Sequence, residues 1–237
     1  MLLGTDPPRL PVQVLVRTTE LFGIAEGTTR TALSRMAAAG ELVAGEGAYE
    51  LAPGRLVERQ ARQSASRAAH TRPWRAGRWT MAVVGARGPR HRADRAGTRD
   101  ALVSARFAEL REGVWLRPDN LDRPTLGGVR VFTAVPDGDP VALAAELWDL
   151  DGWASTAKAL QRRVTTLLTP LQAGDAAALR DGFVLSAAVL RHFQHDPLLP
   201  AELAPEGWPG AALRADYDRY DQAYRRVLRT WFSRNRR

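Results

Sequence analysis

The amino-acid sequence predicts an α+β protein with a helix pair and hairpin near its N-terminus, a strand-rich middle and a helical C-terminal part. Three observations carry that prediction. Residues 10–39 set apolar side chains at roughly helical spacing, and residues 42–51 switch to short runs bounded by glycine. Residues 79–135 hold three β-rich runs separated by polar stretches, and beyond Ala154 the helical period returns. With 237 residues, 45% hydrophobic and 25% charged, the chain has the composition of a folded globular protein and the length of two domains, or three small ones. Its composition shifts divide it into a first module at 1–54, a basic connector at 55–73, a middle domain at 74–150 and a helical C-terminal domain at 151–237.

In the first module, Val12, Leu15, Val16 and Leu21 recur on one face from Leu10 to Phe22, and Pro11 suits a first helical turn. A second helix is expected from Glu26 to Ala39, with Thr29, Leu33 and Met36 on one side, Thr28, Thr31, Ser34 and Arg35 on others, and Gly40 as its stop. Leu42–Ala44, the turn Gly45–Gly47 and Ala48–Leu51 read as a two-stranded hairpin. Helix, turn, helix and hairpin is the order of a winged helix-turn-helix, whose second helix enters the DNA major groove. On spacing alone a plain helical core is the alternative.

The connector has only Leu56 and Val57 as large apolar residues, so its arginines face outward. Arg55, Arg59, Arg62 and Arg67 are candidate phosphate contacts, a solvated linker being the alternative. In the middle domain, Trp79–Val84 reads as a buried strand, and a basic segment turns helical toward Leu102. Phe107–Leu110 reads as a helix end, Val114–Leu116 and Val129–Val135 as strands, and Pro140–Leu150 as a helix. Strand, helix, strand, strand, helix is a ferredoxin-like order. The C-terminal domain predicts helices over 154–168 and 176–193, then a proline-fixed loop. A last helix carries Tyr217, Tyr220, Tyr224, Leu228 and Trp231 as a core or dimer stripe, and the tail Arg234–Arg237 is expected to be disordered.

Charge is distributed unevenly. Lys158 is the one lysine, so 33 of the 34 cations are arginine. Residues 1–53 carry a net −2, 54–117 a net +10, 118–208 a net −5 and 209–237 a net +5. A block of ten excess positive charges beside an acidic region suggests a surface that meets phosphates, a solvated arginine-rich face being the alternative.

Particular phrases go further. Gly23–Ile24, the run Arg30–Thr31–Ala32–Leu33–Ser34–Arg35 and Gly40 resemble the winged-helix domain of the PaaX family of phenylacetic-acid catabolic repressors. WRAGRW at 74–79, RFAEL at 106–110 and GVWLRP at 113–118 resemble its middle domain, while Asp196–Leu203 and Trp208–Pro209–Gly210 resemble its C-terminal signature. The resemblance covers nearly the whole chain. It implies a cytoplasmic, DNA-binding regulator of transcription, a homodimeric repressor released by an aryl-CoA effector such as phenylacetyl-CoA. Thr28, Arg30, Thr31, Ser34 and Arg35 are then the candidate DNA contacts, since arginine pairs bidentately with guanine or clamps a phosphate and small hydroxyl residues let the helix sit deep. Arginines within 87–117 could meet the phosphates of a CoA moiety; the effector contacts themselves stay unassigned. Two departures stand out: Ala25 occupies the N-cap position, and the helix that the family has ahead of Val12 is expected to be truncated to Met1–Gly4.

Several classes are set aside. Without cysteine there are no disulfides, zinc-thiolate sites or thiol nucleophiles. No run of ~18 apolar residues or signal-peptide pattern occurs, so no membrane partner is expected. The family's middle domain is similar in fold to a CRISPR-associated nuclease that places an acidic metal ligand after its first strand, but this chain has Gly85–Ala86–Arg87 there. His192, His195 and Asp196 lack a second ligand group, and Walker, GxSxG and HExxH motifs are absent. No enzyme, cofactor or metal is expected. The rival is a ligand-binding or protein-interaction module that no longer binds DNA specifically.

Overall fold

The apolar period predicts a helix from Leu10, yet the structure begins with a strand: β1 (Arg9–Pro11) pairs antiparallel with β3 (Ala48–Leu51), and α1 (Val12–Glu20) starts only after Pro11. Pro11 has no N–H to donate, which an edge strand tolerates, and β1 is the edge of a sheet ordered β1-β3-β2, with β2 at Leu42–Gly45. Pairing also carries Leu10 to full burial, worth ~1.5–3 kcal/mol for such a side chain. These coordinates are a computed structural model that describes residues 8–54, 70–85 and 92–235, with the backbone alone for 92–95.

Among the described residues there are seven helices and two antiparallel sheets. After α2 (Glu26–Ala38), β2 and β3 come β4 (Trp79–Val84), α3 (Arg92–Ser104), β5 (Ala108–Arg111), β6 (Val114–Pro118), β7 (Val129–Ala134) and α4 (Pro140–Leu147). Then follow α5 (Leu150–Gln172), α6 (Ala178–Gln194) and α7 (Gly210–Asn235). Two expectations are corrected here. Phe107–Leu110 is not a helix end: Ala108 and Glu109 pair with Leu116 and Trp115 across the Glu112–Gly113 turn, making β5 a strand. The helix over 140–150 ends at Leu147, because Trp148 turns extended (φ −132°, ψ 141°) before α5 begins.

The chain divides into two compact units, neither of them continuous in sequence. One takes Met1–Arg67, Ala159–Leu190 and Ala212–Arg237; the other takes Ala68–Lys158 and Arg191–Ala211. In the first, the tyrosine stripe of α7 is core: Tyr217, Tyr220 and Tyr224 are buried, and Tyr220 donates to the Gly182 carbonyl at 2.6 Å. A Cβ on Gly182 would stand 2.8 Å from the Tyr224 ring, so glycine is what lets α6 approach α7. Gln161 on α5 donates to Asp216 on α7 at 2.5 Å, and Asp221 holds Arg225 at 2.6 Å.

In the second unit the sheet runs β5-β6-β4-β7 with every neighbour antiparallel. Alternation along β4 gives each face its own core. Trp79 and Met81 pack with Leu116 and with Leu143, Ala144 and Leu147 of α4, while Ala82 and Val84 pack with Trp115, Phe107 and Leu102 of α3. The two helices thus cover opposite faces. The loop after β6 is pinned by a buried cation. Arg117, 2% exposed, donates to the carbonyls of Ala105 (2.7 Å), Asp122 (2.6 Å) and Leu121 (3.4 Å) and lies 4.7 Å from the centre of the Phe107 ring. Beside it Asp119 accepts from the Thr80 hydroxyl at 3.1 Å, and Asn120 donates to the Leu198 carbonyl at 2.8 Å. Leu198 has φ +53°, held by its N–H bond to the Asp196 carboxylate at 2.9 Å. The two phrases GVWLRPDNL and DPLLP are therefore one hydrogen-bonded construction.

Two predictions follow from these cores. Arg117→Met keeps most of the volume but strands the Ala105 and Asp122 carbonyls, and should lower the stability read by urea unfolding by ~2–4 kcal/mol, whereas an unchanged midpoint would deny Arg117 this role. Burial pushes the Tyr220 hydroxyl well up and that of Tyr224 up to about 12. The folded state holds these protons longer than the unfolded chain, so their contribution to stability is whole below pH ~10 and is lost as pH rises toward the folded values. Arg117 acts oppositely over that range, its pKa being lowered by burial to about 10. The clean measurement is phenolate absorbance: near pH ~11 the native protein should show less phenolate than the urea-unfolded chain, Tyr220 and Tyr224 being still protonated.

Candidate functional site

Helix α2 buries very little of itself. Thr29 and Leu33 are its buried residues, one turn apart, with Met36 and Ala37 half-buried behind them. Thr28, Arg30, Thr31, Ser34 and Arg35 are all exposed, so the five residues expected to meet DNA share the broad solvent side of one helix. Its amphipathicity is weak because that side is built from small hydroxyl residues, alanine and arginine. Thr31 turns its hydroxyl back to the Gly27 carbonyl at 2.9 Å, leaving its methyl outward. Arg30 is held by Glu26 through Nε at 2.7 Å, an exposed i,i+4 pair of the kind worth ~0.3–0.5 kcal/mol.

The ends of α2 are set by backbone and not by side-chain caps. Ala25 offers no side-chain oxygen, and no side-chain cap is made at that end; the Ala25 carbonyl accepts from Thr29 N–H at 3.1 Å. At the other end Gly40, at φ +68°, donates to Ala37 while Glu41 donates to Met36, closing the helix in a Schellman motif. Gly23, at φ +73°, ends α1 in the same way and makes the turn between the two helices.

What fixes α2 against α1 is a hydroxyl contact that periodicity does not reveal. Thr19 and Thr29 meet Oγ1 to Oγ1 at 2.6 Å, one hydroxyl giving its proton to the other, so that only the accepting one also donates to its own helix, where the Val16 carbonyl lies 2.8 Å from Thr19 and the Ala25 carbonyl 3.3 Å from Thr29. Thr18, 1% exposed, bonds the Val14 carbonyl at 2.5 Å. Below them Phe22 meets Phe183 of α6 edge-on at 5.1 Å, and Arg17 donates to the Asn235 carbonyl of α7 at 3.4 Å. The hairpin beside α2 turns on Glu46 and Gly47 (φ +50° and +71°), as a two-residue type I′ turn requires. Arg9 clamps Glu46 at 2.8 Å and holds its carboxyl below the usual range.

The remaining expected residues fall elsewhere. Arg55, Arg59, Arg62 and Arg67 lie outside the described residues, as do Arg87 and Arg90 and the tail Arg236–Arg237. Within the same compact unit as α2, Arg226 and Arg229 stand exposed on α7, basic residues that the reading of that helix as an apolar stripe passes over. His195 bonds the carbonyl of Arg191 at 2.9 Å, and His192 stacks on Trp153 at 4.3 Å, the far side of that indole carrying Trp208 at 4.6 Å. Among the described residues no three His, Asp or Glu side chains come together as a metal site, and no helix is long and apolar enough to cross a membrane.

Two family models match the chain: that of the PaaX-like protein over residues 2–53, which includes the whole helix pair and hairpin, and that of the PaaX-like protein C-terminal domain over residues 148–234. No curated protein matches it. Among solved structures, an uncharacterized protein, Rv0674 from Mycobacterium tuberculosis, is 40% identical over 95% of this chain and 93% of its own, with a TM-score of 0.70. Matched at both ends by models of one family, the chain belongs to the PaaX-like proteins.

Proposed function

We propose that this chain is a DNA-binding regulator of transcription, a homodimeric repressor in the cytoplasm that reads DNA with α2 and is released by an aryl-CoA effector such as phenylacetyl-CoA. The observation that carries the reading is the exposed face of α2. A helix that buries two side chains and presents Thr28, Arg30, Thr31, Ser34 and Arg35 to solvent is poorly explained as a core element. It is well explained as one that enters a groove. On this reading residues 1–54 are a winged helix-turn-helix with the Glu46–Gly47 hairpin as its wing. Residues 55–73 are a phosphate-meeting connector, 74–150 a ferredoxin-like middle domain and 151–237 the helical C-terminal domain. The strand order β5-β6-β4-β7 supports the middle assignment, while α4, on the face opposite α3, departs from the one-sided helix layer of that fold.

The charge balance shapes the mechanism. Residues 1–53 carry a net −2, so α2 alone attracts DNA weakly, while residues 209–237 carry a net +5 and mostly belong to the same compact unit. Arg226 and Arg229 are therefore proposed as added phosphate contacts. A two-fold dimer sets its recognition helices ~34 Å apart or a multiple of it. The effector must bind the DNA-free arrangement better than the DNA-bound one, since equal affinity shifts nothing.

Fluorescence anisotropy of the protein on the duplex upstream of its own gene, against a shuffled duplex at two salt concentrations, tests this. A preference for the native duplex that survives higher salt is expected, with Arg30→Ala and Arg35→Ala each weakening it by ~1–3 kcal/mol. Glu26→Gln should tighten binding several-fold, because it removes a like charge from the groove side and releases Arg30. Equal, salt-labile binding to both duplexes, unmoved by the arginine variants, would overturn the reading in favour of a module that binds ligands or proteins but no operator.

A further inference from the structure

One exposed residue of α2 is placed differently from the rest. Thr29 and Leu33, the two buried residues, lie one turn apart. At ~100° per residue, the position midway between them in sequence falls ~180° from the middle of the buried line, directly across the helix. That position is Thr31, which is exposed. Of the side chains on α2 it therefore projects farthest from the packed side. One turn earlier on the same side stands Gly27, where a Cβ would meet nothing within 4 Å, so nothing overhangs Thr31 from that direction. Arg30, Ser34 and Arg35 lie to either side of it, all exposed.

What Thr31 offers at this place is settled by its hydroxyl. Oγ1 donates to the Gly27 carbonyl at 2.9 Å, so its one proton is committed inside the helix and the oxygen keeps only acceptor capacity. With Oγ1 drawn back to the backbone, the γ-methyl is the outward group. Its arginine neighbours are the reverse, donors without acceptors, and Arg30 is oriented by Glu26 at 2.7 Å. The middle of the exposed side is thus apolar and its flanks are cationic. Base edges in the major groove answer these groups differently. An oxygen that only accepts cannot serve the N7, O6 or O4 acceptors that suit arginine or an amide, and a methyl group finds an apolar partner in the C5-methyl that thymine alone presents.

We infer that Thr31 is a specificity-determining residue, its γ-methyl lying against the C5-methyl of a thymine in the major groove. The inference rests on the proposed reading of DNA by α2 and names a base that this helix selects. The N-terminal part of a recognition helix is what meets base edges, and Thr31 is the sixth of the 13 residues of α2. Arginines on either side answer guanines and phosphates; Thr31 discriminates where a guanidinium has nothing to donate to.

The experiment is fluorescence anisotropy of the full chain on the duplex upstream of its own gene, with each thymine in turn replaced by deoxyuridine, which removes the C5-methyl and keeps every hydrogen-bonding group. Thr31→Ser removes the γ-methyl and keeps the hydroxyl, whereas Thr31→Val keeps a methyl and removes the hydroxyl. Serine, valine and threonine differ little in helix propensity, so at this exposed position the melting temperatures should agree. The unaltered protein is expected to bind about four-fold more weakly when one particular thymine is replaced, the worth of one methyl group taken out of water. Thr31→Ser should bind the all-thymine duplex more weakly by a similar factor and show no further loss at that thymine, while Thr31→Val should still show the loss. A loss equal in the unaltered protein and in Thr31→Ser at every thymine, a loss that Thr31→Val abolishes, or no loss at any thymine while the native duplex is still preferred to a shuffled one would overturn the inference and leave the reading by α2 standing. No preference for the native duplex would overturn both.

Discussion

One buried guanidinium organises the unit around the second sheet. Arg117 stands at the end of β6 with almost no contact with water, and taking such a charge out of solvent costs several kcal/mol unless its protons find acceptors. The acceptors are three backbone carbonyls that no secondary structure uses: Ala105 at the end of α3, and Leu121 and Asp122 in the loop after the strand. The consequence is geometric. Ala105 is joined to Arg106 and Phe107, so Arg117 fixes where α3 stops and sets Phe107 beneath its own face. Asn120, on the loop that Arg117 pins, reaches Leu198 and thereby seats Pro197. Both Phe107 and Pro197 line a cavity of about 540 Å³ within this unit. Two of the residues that line it are thus placed by the groups around one cation.

The helix pair of the other unit rests on a different kind of economy. Its second helix leaves most of its surface exposed and buries only a two-residue stripe, Thr29 and Leu33. A threonine in the stripe would ordinarily weaken it, since a buried hydroxyl without a partner costs ~1–3 kcal/mol. Here the Thr19 hydroxyl supplies the partner, and the pair adds direction that an apolar contact lacks. Hydrogen bonds constrain angle as well as distance. The helix that carries the exposed arginines is therefore held in angle as well as distance at its one buried turn.

Much of this was legible in the sequence because it follows period and punctuation. The α2 stripe, the stop at Gly40, the hairpin and the strands expected at 79–84 and 129–135 are local statements, and the chain obeys them, the last strand ending one residue early at Ala134. What escaped is what depends on partners distant in sequence. Leu10 is a strand residue only because Tyr49 lies across from it, and Ala108–Arg111 is a strand only because β6 returns beside it. The helical period in RFAEL is real, but cross-strand hydrogen bonds outweigh it. The candidate site divides the same way. The exposed face of α2 could be read from residue types, whereas the cavity could not, since its walls come from α3, the sheet, α4 and the loop after α6. A sequence signal for it did exist: GVWLRP and DPLLP are too specific to be mere core, and they prove to be the two halves of the construction that holds the cavity walls.

The arginine bias takes on meaning at the same places. With one lysine among 34 cations, composition alone cannot separate codon usage from need. Geometry can. A guanidinium is planar and carries donors on several edges, so at Arg117 it meets three carbonyls while its flat face covers Phe107, and at Arg99 it joins Glu109 while lying over Trp115. An ammonium is a compact point charge that cannot do both. At Arg30 the pair with Glu26 uses Nε, so the terminal nitrogens are not part of it. That arrangement suits bidentate recognition of a guanine edge or a phosphate by a side chain already oriented by its neighbour. The same side-chain chemistry therefore serves the inside of one unit, where it meets backbone carbonyls, and the surface of the other, where Arg30 is oriented by Glu26.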